Sequence, residues 1–329
     1  MNHETCVDII IPIYNGAKYI PRLFVSLLNQ TYSNFRLIIA YDTKTTDNSL
    51  ELLTNYSENL SIIIDKECDS SLGAARNRGF KLATAEFIVH IDVDDELSPN
   101  YLSSFITEFK QHPELDAICC TSVSVNEYNI NNVRSTTFVP CPVEIYTGDE
   151  TLYKKLQWTN GVWVWMVRRD YLSKHNISSP NYSYGEDAPF VWEIIGHANK
   201  IGQIQNPLYY YWMNSSSMMH SITRDWWELY SPSLQDITSY LESRLPAVVP
   251  FVLEKYHRDY IIWASQFRYK EYLNCLKLHN IRSLNPSHVL DKQGRWKVFS
   301  HLFNISPLII YILINTYRKI RMYRNILSR

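Results

Sequence analysis

The sequence predicts an α/β fold with a mostly parallel central sheet, followed by a helical C-terminal region. Three observations carry this reading. Short apolar, β-branched runs alternate with helical patterns over the first 110 residues, as in right-handed βαβ units. Those runs end in polar or acidic residues, at the strand ends where open α/β sheets bind ligands. From Ser233 onward the apolar period becomes that of helices.

Val7 to Ile11 starts the first strand, which Pro12 and the turn-forming Asn15-Gly16 stop. Ile20 to Gln30 has helical spacing, with Leu23, Leu27 and Leu28 on one face. Phe35 to Ala40 is a second buried strand, ending in Asp42-Thr43-Lys44-Thr45-Thr46-Asp47, and Leu50 to Tyr56 is a helix. Leu60 to Asp65 is the third strand, Gly73 to Ala83 a helix, Phe87 to Ile91 the fourth strand and Pro99 to Lys110 another helix. No GxGxxG or GxxxxGK[ST] follows the first strand, which argues against a dinucleotide site or a P-loop. Ala117 to Pro140 reads as shorter β segments, and an aromatic stretch runs from Trp158 to Trp227. Leu253 to Leu278 has helical periodicity. The segment after Pro307 is a weakly amphipathic helix with Leu313, Tyr317, Ile320 and Leu327 on one stripe, interrupted by Arg324. The organisation predicted is a catalytic domain over 1–225, with halves 1–115 and 116–225, then a helical region over 226–329.

A chain of 329 residues with 46% hydrophobic and 20% charged residues is ordinary for a folded protein and excludes wholesale disorder. The net charge of −1 hides an asymmetry: no acid follows Asp291, so the tail carries +8 and the first 291 residues −9. A basic terminus on an acidic body points to an anionic surface, membrane or nucleic acid, and no nucleic-acid-binding signature accompanies it. Leu302 to Ile314 is too short to span a bilayer and contains Asn304, Ser306 and Pro307. The cysteines, Cys6, Cys68, Cys119, Cys120, Cys141 and Cys275, show no CxxC or metal spacing. Without a signal-peptide pattern, this predicts a cytoplasmic chain.

The most informative stretch is the fourth strand running into Asp92-Val93-Asp94-Asp95. Three carboxylates at one strand end are costly unless a cation or donor groups compensate them. A divalent metal sharing its shell with a diphosphate fits such a corner. An acidic loop that starts the next helix would present the same residues.

Four further elements accompany that turn. They are Ile11-Pro12-Ile13-Tyr14-Asn15, Asp42 with Thr46-Asp47-Asn48-Ser49, Gly73-Ala74-Ala75-Arg76-Asn77-Arg78-Gly79, and Tyr184-Gly185-Glu186-Asp187-Ala188-Pro189-Phe190. Together, over about the first 220 residues, they resemble the family 2 glycosyltransferases of bacterial polysaccharide assembly, which have the GT-A fold.

The resemblance implies a sugar-nucleotide donor, with UDP-sugars the usual kind, and roles for individual residues. Pro12, Tyr14, Asn15 and Asp42 would hold the nucleoside. Thr43 stands where the family usually has a second acid, which puts the base preference in question. Arg76 would reach toward the base and diphosphate. Asp94 would meet the ribose and, with Asp95, hold Mn²⁺ or Mg²⁺, while Asp92 would support the turn. Asp187 would be the general base of an inverting transfer, with Glu186 orienting the site. Trp158 and Trp212 are candidate acceptor platforms, since aromatic faces stack on sugar rings, and His220 and Arg224 are candidate diphosphate contacts. The implied acceptor is a lipid-linked glycan or polysaccharide, met by a peripheral protein at the inner face of the membrane. A nucleotidyltransferase and a non-catalytic sugar-nucleotide-binding assembly protein are the competing readings. The missing basic phosphate loop speaks against the first, and the intact acidic pairs against the second.

Overall fold

The computed structural model describes residues 6–68, 71–134, 143–147, 161–181, 186–213, 238–239, 241–246, 249–278, 280–285 and 295–327. The chain divides into two compact units, Met1–Gln235 and Asp236–Arg329.

In the first unit, strands β1 (Val7–Ile13), β2 (Phe35–Asp42), β3 (Ile62–Glu67) and β4 (Phe87–His90) alternate with helices α1 (Ile20–Leu28), α2 (Ser49–Tyr56) and α3 (Leu72–Leu82). They form a parallel half-sheet in the order β3-β2-β1-β4. Its centre is apolar throughout: Ile9, Ile10, Ile11, Leu37, Ile38, Ile39 and Val89 are fully buried, as expected of strands covered on both faces. Ile20, Leu23, Phe24 and Leu27 of α1 pack inward, whereas Leu28 is exposed.

Two sequence boundaries shift for identifiable reasons. Pro12 does not end β1, because β4 pairs only with Val7 to Ile10. Beyond that point β1 has a neighbour on one side alone, where the missing proline N–H costs no ladder bond. The third strand begins at Ile62 because the Leu60 N–H bonds back to the Tyr56 carbonyl and stays in the turn after α2.

Past β4 the sheet becomes mixed. It continues through β5 (Glu96–Leu97), β6 (Ala117–Val125), β7 (Glu144–Thr147), β8 (Trp165–Arg168) and β9 (Lys200–Trp212). The order is β4-β8-β6-β9-β5, with β7 also on β9. β8 runs antiparallel to β4 and β6, whereas β6 and β9 are parallel. Rather than short segments, β6 is nine residues long and carries an irregularity between Cys120 and Ser122. Helices α4 (Tyr101–Gln111), α5 (Ile130–Arg134), α6 (Arg169–Lys174) and α7 (Asp187–His197) complete the described part of this unit. The pairing Glu96↔Tyr210 and Leu97↔Tyr209 brings the acidic turn beside the end of β9.

The second unit contains α8 (Val249–Ala264), α9 (Tyr269–Leu278), α10 (Arg295–Ile305) and α11 (Pro307–Leu327). The expected helix over Leu253 to Leu278 is broken between Ala264 and Tyr269. There Asn315 Nδ2 donates to the Ser265 carbonyl and Tyr311 Oη to that of Phe267. Those acceptors are thus satisfied by α11 instead of by a continuing helix.

Candidate active site

The site is assembled by α3, and each residue of its motif has a physical task. Ser71 caps the helix by accepting from Ala74 N at 3.1 Å. Gly73 lies against the 179–181 segment: a Cβ there would sit 2.1 Å from the Pro180 carbonyl oxygen. Asn77 pins the same segment, donating to the Ser179 carbonyl at 2.7 Å and accepting from Ser179 N at 2.9 Å. Arg78 ties α3 to β3 through Asp65 at 2.6 Å and to β2 through the Tyr41 carbonyl. Gly79 lets the helix approach β1, since a Cβ would meet Ile10 Cγ2 at 2.5 Å. The helix is thereby fixed between the sheet and the chain that leads to Glu186.

Arg76, fully buried, points from this frame into an acidic pocket. Its Nη2 donates to Asp92 Oδ1 at 2.8 Å, and its Nη1 to Asp187 Oδ1 at 2.5 Å and to Glu186 Oε1. One guanidinium thus faces three carboxylates, and its planar fork suits that geometry. Burial opposes its charge, but the carboxylates hold the Arg76 pKa above its usual range. Burial pushes Asp187 up to about 7, with Arg76 pulling down and Glu186 pushing up. Asp92 rises to about 6, again chiefly through burial and against Arg76. Asp187 begins α7, and its side chain retains 24% exposure where Glu186 retains 5%. The pair therefore divides into a carboxylate that solvent reaches and one that is enclosed.

The acidic turn is organised from the other side by β9. Asp95 accepts from Tyr209 Oη at 2.6 Å and from Trp212 N at 2.8 Å, and burial raises its pKa well above the ordinary value. Glu96 accepts from Trp212 Nε1 at 3.2 Å and forms a two-pronged pair with Arg134 at 2.8 Å. Asp95, expected with Asp94 to hold the metal, thus has each oxygen buried and accepting one hydrogen bond from β9, and each keeps a second lone pair that a cation could use. Asp94 is half-buried.

The donor chemistry of the turn fits a hard divalent cation, because its ligands are carboxylate oxygens. Among the described residues no three His, Cys, Asp or Glu side chains converge as a metal cluster. Asp94 and Asp95 are the residues that would hold such a cation, with a diphosphate supplying further ligands.

The residues read as nucleoside-binding sit at the carboxyl ends of β1 and β2. Tyr14 is exposed and Pro12 buried. Asn15 adopts φ 48 and accepts from Thr46 N at 2.8 Å, joining the two strand ends. Gly16 N and Ala17 N donate to Ser49 and Asp47, so Asp47 ties the two loops as well as starting α2. Asp42 accepts from Lys44 N within its own turn. Trp212 is half-buried, with its ring covered by the Arg22 guanidinium at 4.1 Å. Arg76 reaches the acidic pocket and not the β1 loop. Trp165 and Trp192 are core. Trp158, His220 and Arg224 lie outside the described residues, as do Tyr184 and Gly185.

Three residues at the site escaped sequence reasoning. Tyr209 holds Asp95, and nothing in a run of three tyrosines marks which one reaches the acidic turn. His90, enclosed at the end of β4, packs edge-on to Phe190, and burial next to Arg76 lowers its pKa to about 3. A histidine interrupting an otherwise apolar strand was its only signal. Arg22 was marked by a cation in the first turn of a helix, where the macrodipole disfavours it.

A parallel half-sheet joined to a mixed one, with an acidic turn facing a second acidic pair, defines a GT-A type α/β fold. The family model for glycosyl transferase family 2 matches residues 8–175, slightly more than half of the chain, and the chain belongs to that family. It is 27% identical over 227 residues to the uncharacterized glycosyltransferase YibD of Escherichia coli K12, covering 66% of this chain and 64% of YibD. It is also 27% identical over 234 residues to the cholesterol galactosyltransferase of Borreliella burgdorferi, covering 67% of this chain and 64% of that protein. The chain thus spans just under two thirds of the length of these curated relatives. In fold it resembles residues 1–349 of S. aureus TarS in complex with UDP-GlcNAc, with TM-score 0.66 and 19% identity over 95% of this chain and 91% of that one. The mannosyltransferase PcManGT of Pyrobaculum calidifontis, in complex with GDP-Man and Mn²⁺, gives 0.52 at 14% identity over 95% and 87%. At such identities the structural likeness concerns the fold alone.

Proposed function

We propose that this protein is an inverting glycosyltransferase that moves a sugar from a nucleoside diphosphate, a UDP-sugar in the first instance, to a hydroxyl of a lipid-linked or polysaccharide acceptor. The observation that carries the reading is Arg76, which joins the acidic turn at Asp92 to the Glu186–Asp187 pair within one buried cluster.

The chemistry follows from the separate environments of these acids. Asp187 accepts the proton of the acceptor hydroxyl as its oxygen attacks the anomeric carbon and the carbon–oxygen bond to the diphosphate breaks. A carboxylate raised to about 7 is matched to that task near neutral pH. Glu186 and Arg76 orient it, and Arg76 opposes the upward push of burial on its pKa, so that a fraction is ionised. Asp94 contributes to donor and metal binding, with Asp95 and Glu96 bracing the turn. Pro12, Tyr14, Asn15 and Asp42 border the nucleoside side. Asp94 and Asp95 would hold Mn²⁺ or Mg²⁺, which would supply charge neutralisation for the departing diphosphate. Support for a nucleotide-sugar donor comes from family membership and from the UDP-GlcNAc and GDP-Man held by the structural relatives.

For location, we propose peripheral contact with an anionic membrane through α11. One side of this helix packs within its own unit through Ile310, Tyr311 and Asn315. Leu308, Ile312, Leu313, Tyr317 and Ile320 are exposed on it, in a tail that carries only basic charge. Apolar insertion combined with about 1 kcal/mol per basic residue near anionic lipid favours reversible binding. Among the described residues no helix is long and apolar enough to cross a membrane.

The test of the function is nucleoside diphosphate release across a panel of sugar nucleotides, with Mn²⁺, Mg²⁺ or a chelator. Metal-dependent release from one donor, enhanced by lipid-linked acceptor, is the expected result. Stable binding of a sugar nucleotide with no turnover in any acceptor mixture would favour a binding protein instead.

A further inference from the structure

Arg22 lies in the first turn of α1, and its guanidinium is placed at the acidic turn. It donates through Nη2 to the main-chain carbonyl of Asp94. It lies over the Trp212 ring at 4.1 Å and near the Tyr19 ring at 5.8 Å. Its Nε is buried with no hydrogen-bond partner. Burial lowers its pKa, and the negative charges of Asp95, Glu96 and Asp94 oppose that shift.

A cation here is costly twice over. The N-terminal turn of a helix disfavours positive charge, and an unpaired buried N–H carries a desolvation penalty. Packing alone would be served as well by an apolar side chain, so the location calls for a task that needs a planar cation. The surrounding bonds indicate one. Trp212, which Arg22 covers, gives its N–H to Asp95 and its indole N–H to Glu96. Arg22 therefore closes a loop of contacts that runs from α1 to the Asp94 carbonyl, along the turn to Asp95 and Glu96, across to Trp212, and back to the guanidinium. Within that loop Asp94 is held through its main-chain carbonyl.

We propose that Arg22 is a positioning residue for donor binding. It fixes the Asp94 backbone against Trp212, so that the Asp94 carboxylate is presented to the metal-bound diphosphate. The inference rests on the function proposed above. It also removes one face of Trp212 from the candidate acceptor platform, because that face is already stacked.

The experiment is calorimetric titration of UDP and GDP into wild type, Arg22→Gln and Arg22→Lys, each with and without Mn²⁺, alongside thermal unfolding. No turnover is involved. Arg22→Gln is expected to weaken Mn²⁺-dependent nucleotide binding by about tenfold or more, the scale on which groups supporting a metal ligand act, and to leave metal-free binding unchanged. Arg22→Lys keeps the charge but loses the planar stack and is expected to fall between the two. Arg22→Gln with wild-type unfolding and Mn²⁺-dependent affinity within about twofold of wild type would overturn the positioning role and leave the proposed function standing. If Arg22→Gln does not fold, Arg22→Lys decides by the same twofold criterion. A wild type that binds neither nucleotide more tightly with Mn²⁺ would overturn both readings.

Discussion

Arg76 Nη1 donates to Asp187 Oδ1 at 2.5 Å while Nη2 of the same guanidinium holds Asp92 Oδ1 at 2.8 Å. Two carboxylates 95 positions apart in sequence, one on the donor-side turn and one at the start of α7, therefore share a single buried cation. A change of charge on one side is felt on the other, because both carboxylates bond the same buried guanidinium.

Removing that cation leaves three carboxylates uncompensated. Arg76→Met is expected to destabilise the fold by about 3–5 kcal/mol, the cost of breaking a buried ion pair from one side, and to abolish transfer. Arg76→Lys restores the charge without the fork and should recover part of the stability but little of the activity. Urea denaturation of the two variants beside wild type measures the difference.

The raised pKa of Asp187 sets a pH dependence with opposite signs for rate and stability. As a base it must be ionised, so kcat/KM is expected to rise through about pH 7 and then level. Its folded pKa lies above the ordinary 3.8, so the folded state holds the proton more tightly than the unfolded one. The stabilising contribution is therefore complete below about pH 4 and is lost as pH rises through about 7. Asp187→Asn removes that loss, and its Tm relative to wild type should be higher at pH 8 than at pH 5. Differential scanning fluorimetry across that range checks the sign.

Gly73 and Gly79 offer a comparison of close approaches. A methyl at Gly73 meets the Pro180 backbone oxygen, whereas one at Gly79 meets the Ile10 side chain. A side chain gives way more cheaply than backbone. Gly73→Ala is thus expected to displace the segment before Glu186 and to cost at least tenfold in kcat/KM. Gly79→Ala should act mainly on stability, by about 1–3 kcal/mol, and steady-state kinetics with equilibrium unfolding separates the two.

The membrane proposal depends on the exposed side of α11. A double change, Leu313→Asp with Ile320→Asp, is expected to abolish co-sedimentation with anionic vesicles and to leave nucleotide release unchanged in detergent. Retained sedimentation would show that another surface makes the contact.

The parallel half-sheet was legible because its strands are short β-branched runs closed by turn residues, and a one-dimensional pattern suffices to find them. What went unseen depends on long-range partners. Leu60 reads as strand by composition and is held in a turn by Tyr56. The break after Ala264 has no proline or glycine to announce it and follows from Asn315 and Tyr311. At the site, motif order directed attention to Arg76, Asp92, Glu186 and Asp187, which the fold brings together. That Arg76 turns toward the acids follows from α3 being pinned to the 179–181 segment, and that Asp95 bonds Tyr209 and Trp212 follows from a pairing of β5 with β9 across more than 100 residues. No local spacing encodes that pairing.

The measurement that tests the account most directly compares Asp187→Asn with wild type in donor binding and in transfer to acceptor under one set of conditions. The account predicts nucleotide-sugar affinity within a few-fold of wild type and a loss of transfer of about 10²–10⁴-fold, the range over which a positioned general base acts. Transfer at a near-wild-type rate in that variant would contradict it, and the base would have to be sought elsewhere in the cluster.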